Sequence, residues 1–166
     1  MSGIHVSIVL ITGCLLAAPP EWLSPDRDGF ITARAQGCSF QTPGKTVVRK
    51  DDRDGRVVLS NWTRATDVPT WKVRVPRNGR YLVEADYAAG PESAGVVYTV
   101  VMKGWTVGMV KGIVESTGGD SRRVRISDME LDAGDYVLSV HPENRKGQPA
   151  MTLEAVILHR NSPDNK

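Results

Sequence analysis

A two-residue alternation of apolar and charged side chains is the feature that most constrains the fold of this 166-residue chain. Trp71, Val73 and Val75 alternate with Lys72 and Arg74. Successive side chains of a β-strand point to opposite faces, so this alternation predicts a strand with one buried face and one wet face. No stretch after residue 37 carries a helical stripe of apolar residues. The alternation recurs in four later stretches, which are residues 80–87, 123–126, 136–140 and 151–157.

Turn-forming residues separate these stretches, and the chain contains sixteen glycines and ten prolines. The turn sequences include PRNG at residues 76–79 and STGGD at residues 116–120. Such connections are too short for helical crossovers, so neighbouring strands are expected to pair antiparallel. About eight strands at this spacing from residue 45 onward predict an all-β protein built as an antiparallel β-sandwich.

Two of these strands have unusual sequences. Residues 96–102, VVYTVVM, are apolar at both alternating sets of positions, which predicts a central strand covered on both faces. Residues 107–114 predict a further strand that is interrupted at Gly108 and Gly112. Trp71, Tyr81 and Tyr136 lie inside alternating stretches and are predicted to belong to the core.

The N-terminal region has the pattern of an export leader. Residues 6–18 form an apolar run that is short for a bilayer span but suits the core of a signal peptide. Two processing routes are open: an A-x-A site at residues 33–35, and a lipobox-like sequence whose Cys14 would carry a lipid. We therefore expect a protein that is secreted, periplasmic or at the cell surface, and that meets a membrane only if Cys14 is lipidated. The predicted divisions are a leader with spacer at 1–35, the sandwich at 36–160 and a polar tail at 161–166.

Several motifs in one order resemble a known family of β-sandwiches. Residues 71–83 contain W-K-V-R-V-P followed by G-R-Y-L-V, and residues 131–138 read L-D-A-G-D-Y-V-L. With the S-T-G-G loop at 116–119 and the strand T-L-E-A-V-I-L at 152–158, they resemble family-6 and family-35 carbohydrate-binding modules. Among these, the modules appended to bacterial fucosidases and sulfatases look closest. The resemblance spans about 100 residues.

The resemblance implies a galactose-binding-like jelly roll that binds a carbohydrate and is not an enzyme. The implied partners are a polysaccharide or glycan and, for the accessory form of such modules, a glycoside hydrolase or sulfatase. The chain departs from the family where sugar is bound: Asp120 stands where family-6 modules place a stacking Trp, and Thr152 where they place an Asn. These departures favour an alternative, a cell-envelope interaction or structural sandwich without sugar binding.

Two tryptophans outside the clear strands are the candidate sugar platforms, because sugars present apolar C–H faces to flat rings. Trp62 lies in a polar stretch, and Trp105 follows Gly104 at a strand junction. The alternative for each is a ring that covers the core. Polar side chains that could orient hydroxyls, or remain solvated, complete the candidate ligand-binding set: Arg64, Asp67, Asp120 and Arg122. Arg64 and the pair at 122–123 would suit a sulfated or uronic-acid glycan through forked hydrogen bonds.

Other functions lack a sequence signal. His141 and His159 stand outside any HxH, HExxH or G-x-S-x-G motif, and neither a P-loop nor GxGxxG occurs, so no catalysis is expected. A net charge of +2 is too small to indicate nucleic acid as a partner.

Two further features bear on metals and disulfides. The sequence DRDG occurs at 26–29 and again at 52–55, which hints at calcium, but neither copy completes a calcium loop. Turns are therefore predicted at both, and no cofactor is expected. Cys14 belongs to the leader, which leaves Cys38 without a partner in the mature chain, so no intrachain disulfide is expected.

Overall fold

The computed structural model describes residues 21–40, 46–51, 55–143 and 148–161, and these ranges are almost entirely β-structure. Two short 3-10 helices occur at Ala35–Gly37 and Pro91–Ser93. Within these ranges, no helix has the length and apolar character needed to cross a membrane. The strands are Phe30–Arg34 (β1), Ser39–Phe40 (β2), Val47–Lys50 (β3), Val57–Ser60 (β4), Pro69–Val75 (β5), Gly79–Ala88 (β6), Val97–Lys103 (β7), Val107–Ile113 (β8), Arg122–Leu131 (β9), Gly134–Glu143 (β10) and Thr152–Arg160 (β11).

The strands form two sheets that pack face to face. One sheet has the order β3-β4-β11-β6-β9, with β1 also paired to β11. The other has the order β2-β5-β10-β7-β8. The paired strands are antiparallel throughout, and a single parallel bridge joins Leu23 to Val73. The predicted all-β antiparallel sandwich is confirmed.

The core lies between the sheets and contains most of the large rings. Inner positions of β5 and β6 alternate with outward polar residues, as the two-residue period predicts. Trp71, Tyr81 and Tyr136 are buried as expected, and Tyr87 and Tyr98 join them. Tyrosine hydroxyls that reach the rim bind backbone there: the Tyr81 hydroxyl donates to the Arg77 carbonyl at 2.8 Å. Burial of the rings therefore also fixes the ends of strands.

The strand registers divide the connections between two ends of the sandwich. Val97 pairs with Ile113 at one end of the β7–β8 hairpin, and Lys103 pairs with Val107 at the other. The first end carries the long connections at 61–68, 89–96 and 114–121, and we call it the loop end. The second carries the short connections at 76–78, 104–106 and 132–133, and we call it the turn end.

The predicted boundary at residue 36 is corrected by β1. This strand pairs with β11 over five residues, and Ile31, Ala33 and Ala35 are completely buried. Upstream of it, the Leu23 amide donates to the Lys72 carbonyl at 2.9 Å. Residues 21–35 are thus part of the sandwich, and the A-x-A sequence lies inside folded structure. The apolar run at 6–18 and Cys14 lie outside the described residues.

The first DRDG copy forms a turn, as expected. One Asp26 carboxylate oxygen accepts hydrogen bonds from the amides of Asp28 at 3.0 Å and Phe30 at 2.9 Å. Gly29 has a φ of 84°, a conformation that favours glycine. The carboxylate therefore serves the backbone of the turn that leads into β1. Residues 52–54 of the second copy lie outside the described residues.

Strand β8 is continuous, although two interruptions were expected in it. Gly108 and Gly112 face the core, and a Cβ at either position would clash, with Met129 and Leu131 at the first and with the Tyr98 ring at the second. The close fit leaves no inward room for side chains at these positions. Among the other residues of β8, Val110 points inward, and Val107, Met109, Lys111 and Ile113 point outward.

Strand β7 was expected to be covered by protein on both faces, but one of its faces is open to solvent. It lies between β10 and β8, and its inner residues Tyr98, Val100 and Met102 are buried. Val97 and Val101 on its outer face are only half-buried. This outer surface of the second sheet, which we call the open face, is available to a ligand or partner.

Removing residues 1–35 should destabilise the domain, whereas removing residues 1–20 should not. The longer deletion strips β1 from β11 and exposes the pocket that Ile31 and Ala33 fill, which should lower the free energy of unfolding by about 3 kcal/mol or more. Urea titration followed by circular dichroism measures both variants against the full chain. Equal stability of the two deletions would place the start of the domain after β1.

Candidate ligand-binding site

Trp105 is the most exposed large hydrophobic side chain of the described residues. Its fractional exposure is 101%, so its ring contacts almost nothing in the domain. It lies in the tight 104–106 turn between β7 and β8, where the Gly104 amide donates to the Thr106 carbonyl at 3.0 Å. The Thr106 and Tyr136 hydroxyls lie 2.9 Å apart, which ties this turn to β10. The ring is therefore a solvent-facing group on a fixed turn.

Thr106, the residue after Trp105, lines a polar depression that we call the turn-end hollow. Its volume is about 390 Å³, which falls within the range of small-ligand sites. The Asn78 side-chain oxygen accepts from the Ala133 amide at 2.7 Å, and the Tyr136 hydroxyl donates to the Asp132 carbonyl at 3.1 Å. These bonds join the three turns of the turn end into one rim. The lining residues are Asn78, Gly79, Thr106, Val107, Glu130, Leu131 and Asp132.

Gly104, the residue before Trp105, lines a larger and more apolar depression of the open face, which we call the open-face groove. It has a volume of about 660 Å³ and is lined by Val101, Lys103, Gly104, Val137, Ser139 and His141. The Ser139 hydroxyl and His141 Nε2 lie 2.8 Å apart. Burial lowers the pKa of His141, so the imidazole is neutral at pH 7 and Lys103 is the charged group of this lining.

Trp22 is a second exposed tryptophan, at the opposite edge of the same sheet. It is 37% exposed, with Lys72 Nζ at 5.7 Å and Arg74 Cζ at 5.4 Å from its ring centroid. Both cations hold the ring through cation–π attraction. Trp22 was not among the predicted site residues, because residues 21–35 were expected to belong to a leader with spacer. Its polar and proline-rich surroundings gave no strand signal.

Two of the predicted ligand residues are buried, and their assignment is corrected. Trp62 has no exposed surface, and its backbone carbonyl accepts from the Ala150 amide at 2.8 Å. A sugar therefore has no access to the ring, and covering the core is the role that the structure shows. Asp67 is 2% exposed, and its Oδ2 accepts from both the amide and the hydroxyl of Thr46, at 3.0 and 2.9 Å. This carboxylate joins two segments of the chain.

Arg64, Asp120 and Arg122 are exposed at the loop end, so their assignment to a ligand stays a prediction. The structure does not bring them together with Trp105, which lies at the turn end. The seven-residue strands between the two ends span about 20 Å. Arg123, the neighbour in the predicted basic pair, donates from Nε and Nη2 to the two oxygens of the Asp86 carboxylate, each at 2.9 Å.

The T-G-G sequence of the loop end has a structural role. The Thr117 hydroxyl accepts from the Ala89 amide at 3.0 Å and is buried, while Gly118 and Gly119 have φ values of 72° and 90°. Glycine is favoured at both positions by backbone conformation alone. In the described part of the loop end, no tryptophan or tyrosine is exposed. The hollow there, which includes Thr152 in its lining, measures about 10 Å³, too small for a sugar ring.

Comparison with known proteins places this architecture among solved structures. No protein-family model and no curated protein sequence matches the chain. The C-terminal family-6 module of a laminarinase from Zobellia galactanivorans matches with a TM-score of 0.60 and 16% identity, over 79% of this chain and 99% of the module. A Podospora anserina mannanase that includes a family-35 module matches with a TM-score of 0.62 and 19% identity, over 82% of this chain and 29% of the enzyme.

The chain has the fold of these modules. Its galactose-binding-like sandwich, predicted from the W-x-V-x-V-P and L-x-A-G-x-Y-x-L motifs, is thereby confirmed. The same fold occurs in the Cry4Aa toxin of Bacillus thuringiensis, with a TM-score of 0.63 and 9% identity over 80% of this chain and 24% of the toxin. Because unrelated activities share the fold, the function must be argued from the site.

Trp62→Ala should destabilise the domain strongly, whereas Trp105→Ala should not. The first change empties a large volume in the core and should lower the free energy of unfolding by about 3–5 kcal/mol. The second removes a ring surrounded by solvent and should change it by less than about 0.5 kcal/mol. Chemical denaturation of the two variants and the unaltered chain gives both values. A large loss for Trp105→Ala would mean that this ring is packed and not presented to solvent.

Proposed function

We propose that the chain is a non-catalytic carbohydrate-binding domain whose sugar platform is Trp105. The observation that carries the proposal is an indole with complete exposure on a turn that hydrogen bonds hold in place. A ligand can cover an exposed tryptophan without breaking any contact that the ring makes within the domain. A sugar ring offers an apolar face that can stack on the indole. The likeness in fold to family-6 and family-35 modules supports the same function.

The turn-end hollow supplies the polar part of the proposed site. Asn78, Glu130 and Asp132 provide amide and carboxylate groups that accept or donate hydrogen bonds to sugar hydroxyls. No Lys or Arg belongs to the lining described for this hollow. Its two carboxylates repel an anionic ligand, so the proposed ligand is a neutral polysaccharide. This differs from the sulfated or uronic-acid glycan that the arginines of the loop end would suit.

We propose also that the chain is exported and that it assists a glycoside hydrolase or sulfatase. The apolar run at 6–18 supports export. Structural neighbours that occur as parts of a laminarinase and a mannanase support an association with a polysaccharide-degrading enzyme. Co-purification with a secreted hydrolase from culture medium would test both statements together.

A different surface favours a second candidate function, an interaction domain of the cell envelope. Val107, Met109 and Ile113 on β8 are each about 60% exposed and share the outer side of the strand (63%, 59% and 61%). This surface is aliphatic and does not require a sugar. Both functions are compatible with one fold, because the β8 surface and the turn-end hollow share only Val107.

Trp105→Ala should weaken glycan binding strongly, whereas Trp22→Ala should leave it intact. The full chain is screened on an array of neutral and acidic polysaccharides, and the best ligand is then measured by calorimetry. Loss of a stacking ring should weaken binding at least tenfold, the usual effect of an aromatic centre of binding. Trp22 is a matched control, an exposed tryptophan on the same sheet that lies away from the hollow.

The other outcomes of this screen are equally informative. Binding that survives Trp105→Ala but is lost in Arg64→Ala or Asp120→Ala would move the site to the loop end. Absence of binding to every polysaccharide by a chain with a cooperative thermal transition would overturn the sugar-binding proposal and favour the interaction domain.

A further inference from the structure

Each sheet ends in an edge strand on the same side of the sandwich, and the two edge strands differ in how well they are protected against pairing with another strand. Strand β9 ends the first sheet, its exposed positions are largely charged, and its pairing with β6 is interrupted by a register shift between Val83 and Glu84. Strand β8 ends the second sheet, and its pairing with β7 runs without a shift from Lys103–Val107 to Val97–Ile113. Charges and irregularities are the usual protection of an edge against a second strand. Only Lys111 supplies such protection on β8.

Of the seven residues of β8, only Val110 places an apolar side chain inward. Gly108 and Gly112 press against the core, so Val107, Met109 and Ile113 carry the apolar surface of the strand outward. This aliphatic strip adjoins Val101, which pairs with Met109 on the neighbouring strand. A regular edge with an aliphatic strip beside it is the arrangement that accepts an added strand.

We propose that the partner of this edge is β8 of a second copy of the chain, paired antiparallel about Val110. A twofold interface must be self-complementary, and the sequence V-G-M-V-K-G-I is close to symmetric about its centre. The pairing sets Val107 opposite Ile113 of the second copy and Gly108 opposite Gly112. Residues on the outward side then meet residues on the outward side, which continues the sheet across both copies.

Charge selects this register over its neighbour. With the twofold axis at Val110, Lys111 lies opposite Met109 of the second copy, where its aliphatic stem can pack. With the axis one residue later, at Lys111, the two ammonium groups would face each other directly, and like charges opposite each other are destabilising. The axis at Val110 also uses all seven residues of the strand. Lys111 keeps its ion pair with Glu143, at 3.4 Å within its own copy.

The pairing has a consequence that rests on the proposed function. In this register Trp105 lies opposite residue 115 of the second copy. The Trp105 rings of the two copies therefore lie at opposite ends of the paired β8 strands, about ten residues apart along the strand direction. At strand spacing this is about 34 Å. Two sugar platforms on one continuous sheet would bind a polysaccharide with avidity, because the second contact is made within one complex. Self-association itself does not depend on the sugar.

Substitutions of opposite charge at Met109 test both the surface and the register. Sedimentation equilibrium of the full chain should show a dimer with a dissociation constant on the order of tens of micromolar, as expected for a small interface. Met109→Lys places a second cation opposite Lys111 and should weaken the dimer at least tenfold. Met109→Glu places a carboxylate opposite Lys111 in two symmetric pairs and should keep the constant within about threefold of the unaltered chain.

Val137→Lys is the matched control, since it introduces the same charge at an exposed apolar position of the open face, two strands away from the edge. It should leave the dimer unchanged. A chain that is monomeric at 1 mM would overturn the proposal. Equal loss of the dimer in Met109→Lys and Met109→Glu would overturn the register, and loss in Val137→Lys alone would show that two open faces associate instead. Glycan binding measured on the Met109→Lys monomer separates this result from the proposed function.

Discussion

Burial of aromatic rings between the two sheets is the constraint on which the rest of the structure depends. Six of the eight Trp and Tyr side chains lie in the core, and they are Trp62, Trp71, Tyr81, Tyr87, Tyr98 and Tyr136. Several of their polar groups bind backbone at the rim, where the Trp71 indole donates to the Arg34 carbonyl at 2.7 Å and the Tyr87 hydroxyl accepts from the Glu115 amide at 3.0 Å. The same rings that exclude water from the core thus hold the connections at both ends.

This use of the rings determines which surface can bind a ligand. The loop end has its tryptophan folded inward, and its T-G-G sequence supports the backbone through Thr117. The turn end has the opposite arrangement, because Tyr136 fixes the turn from inside and Trp105 is left outside. A rigid turn that presents an uncovered indole lowers the entropic cost of binding, since little of the site has to become ordered.

The parts of the fold with a strong two-residue period could be predicted from sequence, and the parts decided by tertiary contacts could not. Strands β5 and β6 follow their alternation along most of their length, and β10 follows it at Tyr136, Leu138 and Val140. Strand β1 was missed because Ile31 and Ala33 are only two inward positions in a five-residue strand, and their burial depends on β11. Trp62 sits among polar residues, yet the chain folds the ring inward. The outward strip of β8 follows from glycines whose close contacts lie on β9 and β7.

The site shows the same division. Exposure of Trp105 agrees with its position next to Gly104, but its separation from the loop-end residues depends on the strand registers, which no local pattern specifies.

The most direct test of Trp105 as the sugar platform is nuclear magnetic resonance of the tryptophan side chains during titration with a neutral polysaccharide. If Trp105 is the sugar platform, the indole N–H signal of Trp105 moves with ligand while those of Trp62 and Trp71 stay in place. A Trp105 signal that stays fixed while the backbone signals of Arg64, Asp120 and Arg122 move would contradict it.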